Sequence, residues 1–305
     1  MIPPRFPIYL AGPTGSGKTA VAMELAGKLG SVEIINADAF QIYRGMEILS
    51  AAPTEEERAA IPHHLFGIFD PTLPCDAAQF AEKARDTIAE VSRRSIPLVV
   101  GGSGLYLKAI THGLAPTPPG DPVLRAELEE DSLEELVARY EKLDPEGAAQ
   151  TNLKNRRYVT RNLEICLLAG EPASKLKSAW QENSPDLCAF FLKRKREDLY
   201  ERINQRTPLM FNAGVVKEVA QLNSLSTTAE KAIGVEEIRG LLSGEIEETA
   251  CIEAIRQSTR RYAKRQESWF KREASFHPVS IDPGEDPATI ADRILPLVQS
   301  FDPEG

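Results

Sequence analysis

The residues Gly12-Pro13-Thr14-Gly15-Ser16-Gly17-Lys18-Thr19 carry the clearest chemistry in the 305-residue chain. Two glycines flank four residues and are followed by Lys and Thr, the spacing of a phosphate-binding loop. Glycine lets successive backbone N–H groups turn inward around an oxyanion. Lys18 adds a point charge for a terminal phosphate, and the Thr19 hydroxyl is suited to ligate Mg²⁺. Read alone, the loop points to ATP or GTP; the bland alternative is a loop retained only for its fold. Two further places are chemically suggestive. Asp38 closely follows an apolar run, and Gly101-Gly102-Ser103-Gly104 forms a second glycine-rich turn.

These residues need particular elements to hold them. Ile8-Tyr9-Leu10-Ala11 reads as a buried strand leading into the loop. Ala22, Leu25, Ala26 and Leu29 recur at helical spacing after it, and Gly30 stops the helix. A second strand, Val32-Glu33-Ile34-Ile35-Asn36, brings Asp38 to a carboxyl end, the side of an open α/β sheet that faces ligands. From that position Asp38 suits a general base, a magnesium partner or a helix N-cap. Pro97-Leu98-Val99-Val100 is apolar enough for the interior of a parallel sheet. The second glycine turn then opens another helix, whose N–H groups suit an anion. Between the two, residues 79–93 form an amphipathic helix with Phe80, Ala84, Ile88 and Val91 on one face.

A proline-dense stretch at 115–122 reads as a stiff linker. Beyond it the pattern is all-helical, and residues 152–169 carry Lys154, Arg156, Arg157 and Arg161. A solvated helix face is the ordinary explanation of such a run. Strand character returns at 187–192. Pro208 is expected to kink or end the helix that starts near Glu197. A long helix over 248–271 has Ile252, Ile255, Thr259, Tyr262, Gln266 and Trp269 at helical spacing, a face suited to pack against the body. Its Arg256, Arg260, Arg261, Lys264, Arg265 and Lys271 form a face able to meet phosphates. The expected fold class is α/β, a P-loop core with a parallel sheet, interrupted by an all-helical insertion. The expected divisions are 1–115, 116–186 and 187–305.

Composition narrows the setting. The formal charge of −9 argues mildly against bulk nucleic-acid affinity, but the basic residues are clustered, and clusters govern local attraction. Cys75, Cys166, Cys188 and Cys251 are scattered without CxxC pairing and read as reduced thiols of a cytoplasmic protein. His63-His64 lacks partners at metal spacing and reads as structural or substrate-lining. No apolar run approaches the ~20 residues of a membrane span, and Met1-Ile2-Pro3-Pro4-Arg5 has no signal-peptide core. No exposed apolar stripe demands a partner, so a monomer is the default.

Taken together and in order, several stretches resemble the tRNA dimethylallyltransferase (IPP transferase) family. They are the phosphate loop, Ala37-Asp38 with Gln41-Ile42-Tyr43-Arg44-Gly45-Met46, Pro62-His63-His64-Leu65 and Gly101-Gly102-Ser103-Gly104-Leu105-Tyr106. Further on come Arg161 with Leu163-Glu164, Ala232-Ile233-Gly234, and Thr259-Arg260-Arg261-Tyr262-Ala263-Lys264-Arg265-Gln266 with Trp269-Phe270. The resemblance implies a nucleoside-kinase-like core with a helical insertion that grips the anticodon arm of tRNA. It implies transfer of a dimethylallyl group from dimethylallyl diphosphate to the exocyclic amine of the adenine 3′ of the anticodon. In family terms the loop holds the diphosphate with Mg²⁺ and Asp38 takes the amine proton. Lys18 and Ser103 complete the catalytic set, Ser103 standing where the family usually has Thr. The matching tRNA contacts are Asp38, Ala39, Phe40, Gln41, Ser103, Arg157, Arg161, Lys231, Gly234, Lys264, Arg265, Gln266 and Trp269.

The chain also departs from the pattern. Asp38-Ala39-Phe40-Gln41 stands for the usual Asp-Ser-Arg-Gln. Leu49-Ser50-Ala51-Ala52-Pro53 lacks a Gly and a Lys. Ala232-Ile233-Gly234-Val235-Glu236-Glu237 loses an aromatic and reverses a charge. Tyr158, Thr160 and Asn162 replace Arg, Ile and Ala. These changes are expected to fall mostly on RNA-facing positions. The competing readings are a prenyltransferase of free adenine nucleotides, a small-molecule P-loop kinase, and a non-catalytic tRNA-binding paralogue. Product on AMP, phosphoryl transfer from ATP, or diphosphate binding without turnover would select among them.

Overall fold

A computed structural model describes residues 6–181 and 186–302. Met1 to Arg5, on which the reading of a missing signal segment rests, lie outside the described residues. In chain order the elements begin with β1 (Ile8–Ala11), α1 (Lys18–Leu29), β2 (Val32–Asn36), α2 (Glu55–Ala60) and β3 (His63–His64). They continue with α3 (Ala77–Val91), β4 (Ile96–Gly101), α4 (Gly104–Thr111), α5 (Pro122–Glu130), α6 (Leu133–Leu143), α7 (Pro145–Gln150), α8 (Arg156–Ala169) and α9 (Ala173–Gln181). The last are β5 (Ala189–Arg194), α10 (Arg196–Asn212), α11 (Val215–Ala220), α12 (Val235–Leu242), α13 (Glu248–Phe270), β6 (His277–Ile281) and α14 (Pro287–Ser300). Among the described residues, no helix is long and apolar enough to cross a membrane.

The fold is α/β. Among the described residues the strands form one parallel sheet in the order β3-β2-β4-β1-β5-β6. β1, β2 and β4 are buried at every residue, as strands in a sheet covered on both faces are; β1 and β4 are apolar runs, whereas β2 also buries Glu33 and Asn36. Period-two alternation divides them between two cores. Tyr9, Ala11, Ile35, Val99 and Phe191 face a layer that includes α3, α4, α12 and α13. Ile8, Leu10, Ile34, Leu98 and Leu192 face α1 and α14. The chain passes from β1 through α1 to β2 on one side, leaving between them the place that β4 later fills, whereas β5 lies on the other flank of β1. β1 is therefore the switch point at whose carboxyl end an open sheet forms its ligand crevice. Register makes the strand ends level there: Ala11 pairs with Gly101, and Asn36 with Val100.

By contact the chain divides into two compact units, one comprising residues up to Thr111 and from Asp186 onward, the other His112 to Pro185. The second unit is helical and packs α6 and α8 around Leu136, Tyr140, Val159 and Leu163. Much of its charge is structural. Buried Glu164 accepts from the Asp121 N–H at 2.7 Å and pairs with Arg125 and Arg161. Burial alone would raise its carboxyl, but the two guanidinium contacts outweigh that and hold it below the usual range. The Arg156 guanidinium caps the end of α5 by donating to the carbonyls of Leu128, Glu129 and Asp131.

Pro208 neither ends nor visibly interrupts α10, which continues to Asn212. A proline has no N–H for the carbonyl four residues earlier. Here the Arg256 guanidinium of α13 donates to that carbonyl, Asn204 O, at 2.9 and 3.2 Å. A tertiary donor thus offsets the cost that the local sequence would impose.

Candidate active site

The phosphate loop turns on left-handed glycines, with φ of 83° at Gly15 and 90° at Gly17. Gly12 is needed for room: a Cβ there would lie 2.6 Å from Ser16 Oγ. Gly17 begins α1 with no side-chain cap, and no acidic residue occupies the first turn. The exposed dipole end and its N–H groups therefore suit an anion. Lys18 Nζ folds back to Pro13 O at 3.1 Å. Burial pushes its ammonium down to about 8, Asp38 partly restores it, and nearby Arg206 lowers it further. Ser16 Oγ is fully buried and has no partner among the described residues.

Three arginines missing from the sequence-based expectation surround this loop. Arg194, ending β5, donates from Nε to Ser16 O at 2.8 Å and pairs with Asp198 at 2.8 Å. Arg202 Nε donates to Gly15 O at 2.8 Å, and Arg206 Nη2 to Thr14 Oγ1 at 2.9 Å. Arg206 Nε is buried without a partner among the described residues. Burial lowers the pKa of both Arg202 and Arg206, so positive charge is concentrated where an anion would relieve it. The available signal was the i, i+4 repeat of two arginines on one helix face. Such a pair repels itself unless something negative is shared.

The opposite wall is built at the ends of β2 and β4. Asn36 is buried; its Oδ1 accepts the Asp38 N–H at 2.8 Å, and its Nδ2 donates to Leu65 O at 3.0 Å. Asp38 Oδ1 accepts the Phe40 N–H at 3.0 Å, so this carboxylate braces a turn and does not cap a helix. Ser103 Oγ accepts the Ala39 N–H at 2.9 Å. The paired glycines between these walls allow close approach. A Cβ on Gly101 would sit 2.1 Å from Ala37 O, and one on Gly102 would sit 2.7 Å from Gly12 O.

The residues expected at RNA have unlike surroundings. Gln266 is buried and joins the two glycine loops, accepting from Thr14 N–H at 2.9 Å and donating to Gly102 O at 2.8 Å. Phe40 lies 6.4 Å from the Tyr262 ring, and the Arg265 guanidinium lies 5.5 Å from that ring's centre. Trp269 packs over Gly104, where a Cβ would come within 2.2 Å of the indole. Gln41 Nε2 donates to Ser50 O and Ala51 O. Lys231, Lys264 and Arg265 are exposed, as is Arg157 in the helical unit. Arg161 is held by Glu164 and donates to Pro118 O at 2.7 Å. Gly234 is buried with a φ of 105°.

Two departures thought to face RNA are interior. Val235 is fully buried in the core, and buried Asn162 donates to Tyr140 Oη at 2.9 Å and Thr151 Oγ1 at 3.0 Å. The adjacent histidines serve structure: His64 Nε2 lies 2.7 Å from Glu33, and His63 Nδ1 lies 2.7 Å from Ile61 O.

Comparison with known proteins gives consistent matches. Residues 41–273 match the family model described as IPP transferase, and residues 7–62 match one described as Isopentenyl transferase. The chain is 44% identical over 289 residues to the tRNA dimethylallyltransferase of Akkermansia muciniphila, covering 94% of this chain and 98% of that one. It is 39% identical over 305 residues to the tRNA dimethylallyltransferase of Geobacter metallireducens, covering 96% of each. The crystal structure of the full-length tRNA isopentenylpyrophosphate transferase from Bacillus halodurans matches with a TM-score of 0.71 at 31% identity, over 97% of this chain and 96% of that one. A eukaryotic dimethylallyltransferase captured acting on tRNA matches with a TM-score of 0.77 at 27% identity, over 91% of this chain and 74% of that one.

Proposed function

The chain belongs to the IPP transferase family, and from that premise we propose how its own residues carry out the family's reaction. It is a transferase that prenylates tRNA. The donor in this reading is dimethylallyl diphosphate, and the acceptor is the exocyclic amine of the adenine 3′ of the anticodon. The single observation that carries it is the position of Lys18. Its Nζ is held at the loop by Pro13 O at 3.1 Å; burial depresses the ammonium, Asp38 opposes that and Arg206 adds to it, so an anion site and a carboxylate meet around one charge.

The chemistry divides between the two walls. The amine nitrogen attacks C1 of the allylic donor, the C1–O bond breaks, and diphosphate leaves with the bonding pair. Asp38 takes the amine proton as the new C–N bond forms, because an amine conjugated with the ring is otherwise a weak nucleophile. Lys18, the N–H groups at the start of α1, and Arg206 stabilise charge gathering on the leaving group. Arg194 and Arg202 act on the loop itself by fixing the carbonyls of Ser16 and Gly15. Ser103 keeps the turn after Asp38 in place through the Ala39 N–H.

The hard oxygens of the loop suit Mg²⁺. Thr19 would hold it, and the orphaned, buried Ser16 hydroxyl is the kind of group such an ion satisfies. When bound, the cation neutralises diphosphate charge. The target base is stacked in an anticodon loop and must be extruded at a cost of about a few kcal/mol. Exposed Lys231, Lys264, Arg265 and, in the helical unit, Arg157 are the contacts this reading assigns to the RNA, with Gln41, Phe40 and Trp269 near the base.

The experiment is incubation of the purified protein with dimethylallyl diphosphate, Mg²⁺ and unmodified tRNA, followed by nuclease digestion and mass spectrometry. Prenylated adenosine from the site 3′ of the anticodon is expected. Product on AMP alone, or none while diphosphate binds normally, would overturn the reading.

A further inference from the structure

The Gln41 side chain is held by a segment that is itself held from elsewhere. Gln41 Nε2 donates to Ser50 O at 3.1 Å and to Ala51 O at 2.9 Å. Two acceptors on one amide nitrogen fix which way the carboxamide faces and turn Oε1 away from residues 50–51 as an acceptor. Those carbonyls sit on an unusual backbone: Ala51 has a φ of 51°, in the left-handed region. A residue with a Cβ keeps that conformation only where its surroundings enforce it. Local bonds close the turn, Ala51 N–H to Ile48 O at 3.1 Å and Ala52 N–H to Glu47 O at 2.9 Å, and a group distant in sequence anchors its start. The Glu218 carboxylate, on α11, accepts the Ile48 N–H and the Leu49 N–H, each at 2.8 Å.

We propose that Glu218 is a positioning residue for tRNA, acting through residues 48–51 to fix the Gln41 carboxamide so that its Oε1 meets an N–H donor on the nucleobase. The proposal rests on the reading of Gln41 as an RNA contact. The two oxygens of Glu218 satisfy two consecutive amides at once. A neutral amide at this position offers only one oxygen and turns an N–H toward the other, leaving a donor facing a donor. The turn then loses its anchor and shifts as a unit, so the Ser50 and Ala51 carbonyls no longer sit where Gln41 Nε2 can meet both. Gln41 lies three residues past Asp38, so the error appears beside the proposed base and away from the diphosphate loop.

The test is a double-mutant cycle on the full chain, measuring kcat/KM for tRNA, KM for dimethylallyl diphosphate and the thermal midpoint. Glu218→Gln and Gln41→Ala are each expected to lower kcat/KM for tRNA by ~10-fold or more. KM for dimethylallyl diphosphate should move by less than about twofold, within ordinary mutational context. The pair Glu218→Gln with Gln41→Ala should lose little more than Gln41→Ala alone, because both remove one function. Glu218→Asp keeps the charge, is the variant to use if Glu218→Gln folds poorly, and should give an intermediate loss. Additive losses, or a loss spread equally into KM for the donor, would overturn the proposal and leave Glu218 as general support. If Gln41→Ala lowers tRNA kinetics while Glu218→Gln does not, the positioning proposal fails alone. If Gln41→Ala changes nothing, the reading of Gln41 as an RNA contact fails and takes the proposal with it.

Discussion

Gln266 Oε1 accepts the Thr14 N–H at 2.9 Å, so a residue of α13 closes the phosphate loop across 252 positions of sequence. Its Nε2 completes the link by donating to Gly102 O at 2.8 Å. Gln266→Glu keeps the first bond, sets an oxygen against Gly102 O, and puts a negative charge beside the expected diphosphate. Diphosphate affinity, measured by calorimetry, should fall by ~10-fold or more. Unchanged affinity would mean that the loop keeps its shape without this tie.

Arg206 gives a second test of the anion site. Arg206→Lys preserves one charge but not the planar fork that reaches Thr14 Oγ1 while keeping Nε buried. Steady-state kinetics should show kcat/KM for dimethylallyl diphosphate reduced by ~10²-fold, the usual scale for removing a preorganised donor from a leaving group. KM for tRNA should change little. An equal loss on both substrates would assign Arg206 to the fold instead.

The parts legible in the sequence are those whose chemistry is local. The phosphate loop is read from adjacent residues, and Asp38 from its place just past a strand. β1 and β4 announce themselves by apolar runs, and β2 by Val32, Ile34 and Ile35 around a buried Glu33. Arg202 and Arg206 left only an i, i+4 pair of like charges as a trace and Arg194 none, because they bind loop atoms far away in sequence and two of those atoms are backbone oxygens. Spacing turns Gln266 toward the body, but its tie between Thr14 N–H and Gly102 O was not legible for the same reason. Val235 and Asn162 were assigned to the RNA because they replace residues of the resembled pattern, yet both lie in cores. Pro208 misled through local propensity, since the group that compensates it, Arg256, comes from another helix.

Gly104 separates local propensity from packing. It is the first residue of α4, where alanine ordinarily stabilises a helix by up to ~1 kcal/mol. A Cβ there would lie 2.2 to 2.6 Å from three atoms of the Trp269 indole. Gly104→Ala should therefore destabilise by ~1–3 kcal/mol in urea titration, the cost of overpacking. A stabilised variant would show that the indole moves freely.

Asp38→Asn isolates proton transfer from architecture. The amide oxygen still accepts the Phe40 N–H, so the turn after β2 is retained. The amide has no basic site for the amine proton. Diphosphate binding should be close to normal, whereas single-turnover transfer should slow by ~10²-fold or more. Near-normal transfer would refute Asp38 as the base and leave it as a turn brace.

Glu33 makes acid stability a readout of the sheet. It is buried on β2 and receives Arg94 Nε at 2.7 Å, Arg94 Nη2 at 2.8 Å, Ser95 Oγ at 2.9 Å and a His64 Nε2 contact at 2.7 Å. The Arg94 guanidinium is the main cause holding its carboxyl at about 2, against burial, with His64 and Ser95 assisting. The folded value lies below the unfolded one, so between the ordinary carboxylate range and about 2 the unfolded chain binds more protons. The stabilisation is thus complete above pH ~4.5 and is lost as pH falls toward about 2. Urea midpoints of the parent chain and Glu33→Gln should differ at pH 6 and converge as the pH approaches 2. A gap that stays constant down to that pH would show that the glutamate contributes shape and not charge.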